Sequence, residues 1–321
     1  MAIPAPPIPL PIWPNFLLVI GLITLAVHFV LVQSTLASVF VAGLSRDHAQ
    51  VVLARAPILV AFLINFGIPP LLVVQSLYGS FFYAGSLLMA KQWLAVVFLI
   101  MAAYGLVYFA RYTSRLDLSR GASLLSGLLI LGIAFLYSNV MSWMIHPGAW
   151  LEAYREGGMH LYPRTAEAAL RWAWILGPAL CWMGWFWPER FRTLFFGGIL
   201  VSGIAYAALL DVAAYSLAGN QKLYQWGSLG ALALAGVLGI GGDGKVRCSV
   251  MGVLALDAFT KVLTRHWIRE SILAGQFDYH YTAIPVVIQT SVVTAVYVAL
   301  FLGVVLGVWM WRVVKKDGLA L

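Results

Sequence analysis

The stretch FLLVIGLITLAVHFVLVQSTLASVFVA, Phe16 to Ala42, decides the fold. It contains no Asp, Glu, Lys or Arg, and it is longer than the ~20 apolar residues that carry a helix across ~30 Å of hydrocarbon at ~1.5 Å per residue. Further segments of the same kind centre on 52–78, 92–110, 122–145, 168–187, 194–216, 225–241 and 283–311. A shorter run, Cys248 to Leu263, is interrupted by Asp257 and Lys261. It reads as an eighth span with a polar face or as a surface helix. The whole chain agrees with its first segment. Of 321 residues, 62% are hydrophobic and 10% charged, and mean hydropathy is +0.90. A soluble domain carries roughly 45–50% apolar and about 25% charged residues, so a soluble enzyme, a disordered chain and a nucleic-acid binder are excluded.

The net charge of +8 then becomes a question of topology. With nine spans and the N-terminus outside, the inside loops hold Arg46, Arg55, Arg111, Arg115, Arg120, Arg190, Arg192, Lys245, Arg247, Arg312, Lys315 and Lys316. The outside holds Lys91, Arg155, Arg164, Arg171, Lys222, Lys261, Arg265 and Arg269. Inside positives outnumber outside ones, as the positive-inside rule asks. The expectation is an all-α polytopic bundle of about nine transmembrane helices, N-out and C-in, forming one integral membrane domain over 1–321. Within it lie a Pro-rich outside N-terminus (1–15), a first four-helix group (16–145) and an outside loop (146–167). A second helix group (168–263), an outside segment (264–282), and a last helix with a basic inside tail (283–321) follow. The N-terminus has no Lys or Arg and is broken by prolines, the wrong flank for a cleaved signal, so the first helix is expected to be retained.

An unpaired polar side chain in hydrocarbon costs several kcal/mol, so each one asks for a partner or a role. His28 sits mid-span with no charge nearby. It reads as a histidine bonded to a neighbouring helix or as an axial ligand of b-type haem, which needs no covalent attachment. Cys181 and Cys248 belong to no C-x-x-C-H spacing, which excludes c-type haem attachment. Asp257 and Lys261, four apart, share a helix face and can neutralise each other, with a proton path as the sharper alternative. Asn65 and Gln75 flank Pro69-Pro70 in what reads as a kinked helix, and Asn139 and Gln289 read as interhelical glue. His146, His160, His266 and His280 fall outside on this topology, either bordering a redox centre or wetted in loops. Five tryptophans (Trp172, Trp174, Trp182, Trp185 and Trp187) read as an aromatic belt and bulky core. There is no P-loop, no H-E-x-x-H and no nucleophile elbow.

Several stretches, in order, resemble subunit I of the cytochrome bd quinol oxidase superfamily. HFVLVQSTLASVFVAGL from His28 is similar to that family's opening helix, where a histidine carries a high-spin haem, and His28 falls on that histidine. INFGIPP (Ile64 to Pro70), SNVMSWMIHPGAW (Ser138 to Trp150) and RHWIRES (Arg265 to Ser271) resemble motifs of helix two, the outer end of helix four, and the segment after helix eight. The departures are substantial. The quinol loop between helices six and seven shrinks to about Ala218 to Tyr224, and the low-spin haem ligands and the helix-two glutamates have no counterpart. The helix-eight glutamate becomes Val262 with Arg265 as the arginine, or His266 with Arg269. The second register is preferred, because it puts a ligand where the family has one.

The resemblance implies a non-oxidase relative in the bacterial inner membrane, a subunit of a hetero-oligomeric respiratory complex, and no oxygen reductase on its own. It would pass electrons between the membrane and an outside cytochrome c, with haem b on His28, His266 second and His146 at the outer face. Arg155, Arg164, Arg171, Arg265 and Arg269 would steer an acidic partner. The alternatives are a haem-free anchor or quinone-docking subunit of a redox complex and, third, a small-molecule transporter. The transporter needs a polar midplane that this chain largely lacks.

Overall fold

The structure is a computed structural model; it describes residues 14–157, 161–210, 219–239 and 244–276. Apart from turns and short connections, the described residues are helical, with no strand. Among the described residues ten α-helices follow one another: α1 (Pro14–Leu44), α2 (Ala49–Leu53), α3 (Ala56–Leu77), α4 (Gly79–Tyr112), α5 (Leu116–Ile145), α6 (Trp150–Arg155), α7 (Thr165–Phe186), α8 (Phe191–Leu210), α9 (Gly219–Gly239) and α10 (Gly244–Gln276). Among the described residues, five helical segments are long and apolar enough to cross a membrane: Phe16–Leu44, Ala56–Leu77, Gly79–Tyr112, Leu116–Ile145 and Pro188–Leu209. The chain is a multi-pass membrane protein. The last expected span, 283–311, and Gln289, His160 and His280 lie outside the described residues.

Helices are what such a sequence must form, because hydrocarbon offers no partner to an unpaired backbone N–H or C=O. The outward faces stay greasy: Leu87, Leu94, Phe98 and Met101 on α4 are largely exposed and meet lipid. The inward faces carry small residues and hydroxyls. On α5, Ser119, Ser123 and Ser126 are fully buried. Ser119 Oγ donates to the Ala110 carbonyl at 2.6 Å and Ser126 Oγ to that of Ala103 at 2.9 Å, so α4 and α5 lie antiparallel with their backbones close. α1 is the hub, packing against α3, α5, α7 and α10. Two arginines cap the C-termini of α1 and α2. Arg120 Nε donates to the Gly43 carbonyl at 3.0 Å and Arg111 Nη1 to that of Leu53 at 3.0 Å, cations on helix C-termini where the dipole favours them.

α4 has a break that nothing in the residue types announces. Ala90 has φ 31° and ψ −93°, dividing a leg that packs inward through Phe81, Phe82, Gly85, Ser86, Leu88 and Met89 from the lipid-facing span that begins at Lys91. The antiparallel pairing with α5 continues across it. Trp93 meets Tyr137 at 4.9 Å between ring centroids, and beyond the break Gly85 lies against the Val140 carbonyl and Trp143. A non-glycine residue with positive φ stores roughly 1–2 kcal/mol. Ala90→Gly is therefore expected to stabilise the protein by about 1 kcal/mol, read as a rise in thermal midpoint in detergent.

The stretch after Cys248 belongs to a longer helix packed into the core rather than to a surface helix. α10 is continuous from Gly244 to Gln276, with Val250, Leu254, Ala258, Val262 and Leu273 in the core. Its helical turns run on through Arg265 to Ser271, where the sequence suggested an outside segment.

Candidate functional site

His28 lies on the face of α1 turned to α3. Its Nδ1 is 2.9 Å from the Leu63 carbonyl oxygen. A carbonyl only accepts, so Nδ1 carries the proton and Nε2 presents its lone pair. The ring fits there because Gly67 has no side chain; a Cβ at that position would sit 2.8 Å from the imidazole Cε1. This is the bonded histidine of the first sequence reading. It also has the donor state of a metal-bound histidine, whose second nitrogen usually donates to a carbonyl or carboxylate. On donor chemistry, His28 suits a haem iron.

The three candidate histidines do not converge. His266, on α10, is 1% exposed and its Nδ1 has no hydrogen-bond partner. His146 lies just past the end of α5, with Nδ1 2.8 Å from the Ser142 carbonyl. Among the described residues, no group of three or more His, Cys, Asp or Glu side chains is placed to hold a metal ion.

A second polar centre sits where α8, α9 and α10 meet. Asp257 and Lys261 are each 1% exposed, with Nζ 2.9 Å from Oδ2. Ser228 Oγ donates to Asp257 Oδ1 at 2.6 Å, and Ser202 Oγ lies 3.4 Å from Lys261 Nζ. The pair neutralises itself, as its spacing suggested, and two hydroxyls finish the solvation. Nearby, Gln225 Nε2 bonds the Thr260 carbonyl at 3.1 Å and also the Thr264 hydroxyl. Ser202, Ser228 and Gln225 carried no signal in the sequence, since a serine or glutamine in an apolar helix names no partner.

The third centre is at the bundle end where α5 finishes and α7 begins. His146 stacks on Tyr162 at 5.0 Å between centroids, and Glu167 Oε2 is 4.0 Å from its Nε2. Glu167 and Arg171, 3% and 4% exposed, pair at 3.0 Å. Asn139 Oδ1 accepts the Tyr162 backbone N–H at 3.2 Å, tying the loop to α5. Glu167–Arg171 escaped the sequence reading, although its i,i+4 spacing was visible. Burial holds the Tyr162 hydroxyl's pKa up, to about 12, and it holds His146 below its ordinary value despite the carbonyl of Ser142 and the carboxylate of Glu167.

That shift sets a pH dependence. A histidine whose folded pKa lies below the unfolded value of about 6.5 takes up protons on unfolding, so the folded state loses stability as pH falls below that value. Thermal midpoints between pH 7.5 and 5 should fall more steeply for the parent than for His146→Gln. Equal slopes would remove His146 from the account.

Arg265 and Arg269 are half-buried against aromatic rings. The Arg265 guanidinium lies 5.4 Å from the Phe29 ring centroid, and that of Arg269 lies 4.4 Å from that of Tyr78. The Tyr78 hydroxyl also donates to Glu270. Arg171 is held by Glu167, which leaves Arg155 and Arg164 as the exposed cations of the five. Elsewhere, Asn65 bonds its own helix, at the Ala61 carbonyl, and Gln33, fully buried, reaches the Ile175 carbonyl at 3.2 Å.

No family model, curated protein or solved structure matches the chain. The fold defines a class, an all-helical multi-pass membrane protein with polar centres inside the bundle.

Proposed function

We propose that this chain is a redox-linked subunit of the bacterial inner membrane, a non-oxidase relative of cytochrome bd subunit I. In this reading it has nine spans with the N-terminus outside, and a b-type haem is held by His28. The observation that carries the proposal is the state of His28: Nδ1–H on the Leu63 carbonyl, Nε2 with a free lone pair, in a helix without charge. The haem, when bound, supplies a one-electron carrier. The chain's residues do the rest. The Leu63 carbonyl orients the imidazole and Gly67 admits it. Arg155 and Arg164 offer exposed positive charge to an acidic outside partner such as a cytochrome c, within a hetero-oligomeric complex. His266 and His146 sit apart and serve as neighbours of the electron path in this reading, and a quinone site is its optional extension.

Substitution of His28 by Gln tests it, because a glutamine amide can still donate to the Leu63 carbonyl but is a poor iron ligand. The expected result is a folded protein that has lost its pyridine haemochrome signal, while the parent retains one. A parent without b-type haem overturns the proposal. One observation favours the haem-free anchor as second reading: the ring is seated against Gly67 as a structural wedge. That reading expects no spectrum in the parent and, on deletion of the chain, loss of a redox partner from the membrane.

A further inference from the structure

At the bundle end where α5 finishes, the chain turns at His146, passes through a single 3₁₀ turn (Pro147–Ala149) and forms the short helix α6. One side of α6 is pinned to its neighbours. The Trp150 ring meets Phe81 of α4 at 5.9 Å between centroids, Trp150 Nε1 donates to the Trp143 carbonyl of α5 at 2.7 Å, and Ala153 is buried. The rest of its surface divides in two. Leu151 and Tyr154, three apart and so on one face, are 59% and 73% exposed. Glu152, Arg155 and Glu156 are exposed on the next sector round. A packed side, a greasy side and a charged side are the arrangement of a helix lying in the plane of a membrane boundary, where the greasy side meets lipid and the charges meet water.

α4 fixes the height of that boundary. Its 34 residues reach about 50 Å at ~1.5 Å per residue, more than the ~40–45 Å of a whole bilayer with its headgroups. Its exposed tyrosines sort to the two ends, Tyr83 near one and Tyr108 and Tyr112 near the other, roughly 40 Å apart along the helix. Tyrosines concentrate in belts at both membrane–water interfaces, so Tyr83 marks one of them. Leu87, one turn along the same face from Tyr83, already meets lipid. α6 rests on Phe81, two residues from Tyr83, and therefore lies at the level of the belt.

We infer that α6 is an interfacial helix that docks on the bilayer surface. Leu151 lies in the boundary between acyl chains and headgroups, and the Tyr154 ring lies beside it with its hydroxyl among the headgroups. Glu152, Arg155 and Glu156 stay in water. Lipid, rather than a protein partner, covers the greasy face, because that face continues the lipid-facing surface of α4 and carries no charge of its own. The inference rests on the multi-pass fold, and neither haem nor the orientation of the N-terminus enters it.

The test places a nitroxide on the full chain in phosphatidylcholine nanodiscs, in a Cys181→Ala/Cys248→Ala background. Leu151→Cys and Tyr154→Cys carry the label on the greasy face, with Glu152→Cys as the water control and Phe98→Cys as the lipid control. Power saturation compares collisions with oxygen, which partitions into lipid, and with a neutral nickel chelate, which stays in water. The oxygen-to-nickel ratio at 151 and 154 is expected to be several-fold higher than at 152 and to approach that at 98. Ratios at 151 and 154 equal to that at 152 put the face in water and overturn the inference. Labels there that collide with neither reagent show a face covered by protein and overturn it too. If the cysteine-free background does not fold, photolabelling of the parent with a lipid-soluble diazirine decides. Adducts on Leu151 or Tyr154 are then expected, and an α6 peptide without adducts overturns the inference.

Discussion

Leucine at position 198 is expected to leave almost no folded protein in the membrane. Gly198 of α8 crosses α7 with nothing between the backbones. A Cβ there would lie 2.6 Å from the Gly177 carbonyl oxygen, 2.7 Å from Cys181 Sγ and 3.0 Å from the Cys181 nitrogen. Two of those obstacles are backbone atoms that no rotamer change can move. In lipid the helices gain nothing from hiding apolar surface, so their association depends on the close packing that small residues allow. Even one or two surplus methylenes in a packed interior cost typically 1–3 kcal/mol, and a whole isobutyl group here forces α7 and α8 apart. That movement also separates Phe195 from Gly236 and loosens Ser202 from Lys261. The control is on the same helix. Gly203 has no atom within 4 Å of its notional Cβ, and Gly203→Leu should accumulate and unfold like the parent. The monodisperse yield and thermal midpoint of the two variants measure the contrast, and equal values would mean that the crossing is not packed as described.

Lys261→Met should be the next most damaging change. It strips the counter-ion from a carboxylate that is 1% exposed, leaving Asp257 with only the Ser228 hydroxyl. Removing one member of a buried ion pair costs about 3–5 kcal/mol, because the remaining charge is stranded, whereas replacing both members by neutral groups is often nearly neutral. The double variant Asp257→Asn/Lys261→Met is accordingly expected to recover most of the loss. Ser228 can still donate to the Asn oxygen. A double-mutant cycle on thermal or denaturant unfolding gives the coupling. If the single and double variants are equally unstable, the two side chains serve some purpose beyond neutralising each other, and the proton-path reading of the pair gains weight.

The legibility of the candidate sites followed from how local each interaction is. Asp257 and Lys261 pair within one helix, so their spacing was enough to foresee the contact. His28 stood out because no charged residue lies near it in the chain, but its partner, the Leu63 carbonyl, is a backbone atom that no residue type advertises. The same spacing argument was available for Glu167 and Arg171, but the expected boundary at 167/168 put Glu167 in an outside loop and Arg171 in the next helix. Arg265, His266 and Arg269 misled in the same direction. Three basic residues in five positions look like a wetted segment, yet the arginines lie against Phe29 and Tyr78 and His266 is buried. Ala90 gave no warning at all, being neither glycine nor proline at a break in a long helix.

By itself the sequence determined that this is a multi-pass helical membrane protein, and that its function must rest on a handful of polar residues. Both follow from local physics. The hydrocarbon core forces hydrogen bonds to close within each apolar segment, and it makes every polar side chain there expensive. Tertiary structure decided which of those side chains meet. The solvation of Asp257 by Ser228, the notch at Gly67 that seats His28, and the contact of Arg265 with Phe29 each join different helices. Such meetings depend on where small residues let helices approach, and that is a property of the packed bundle rather than of any one segment.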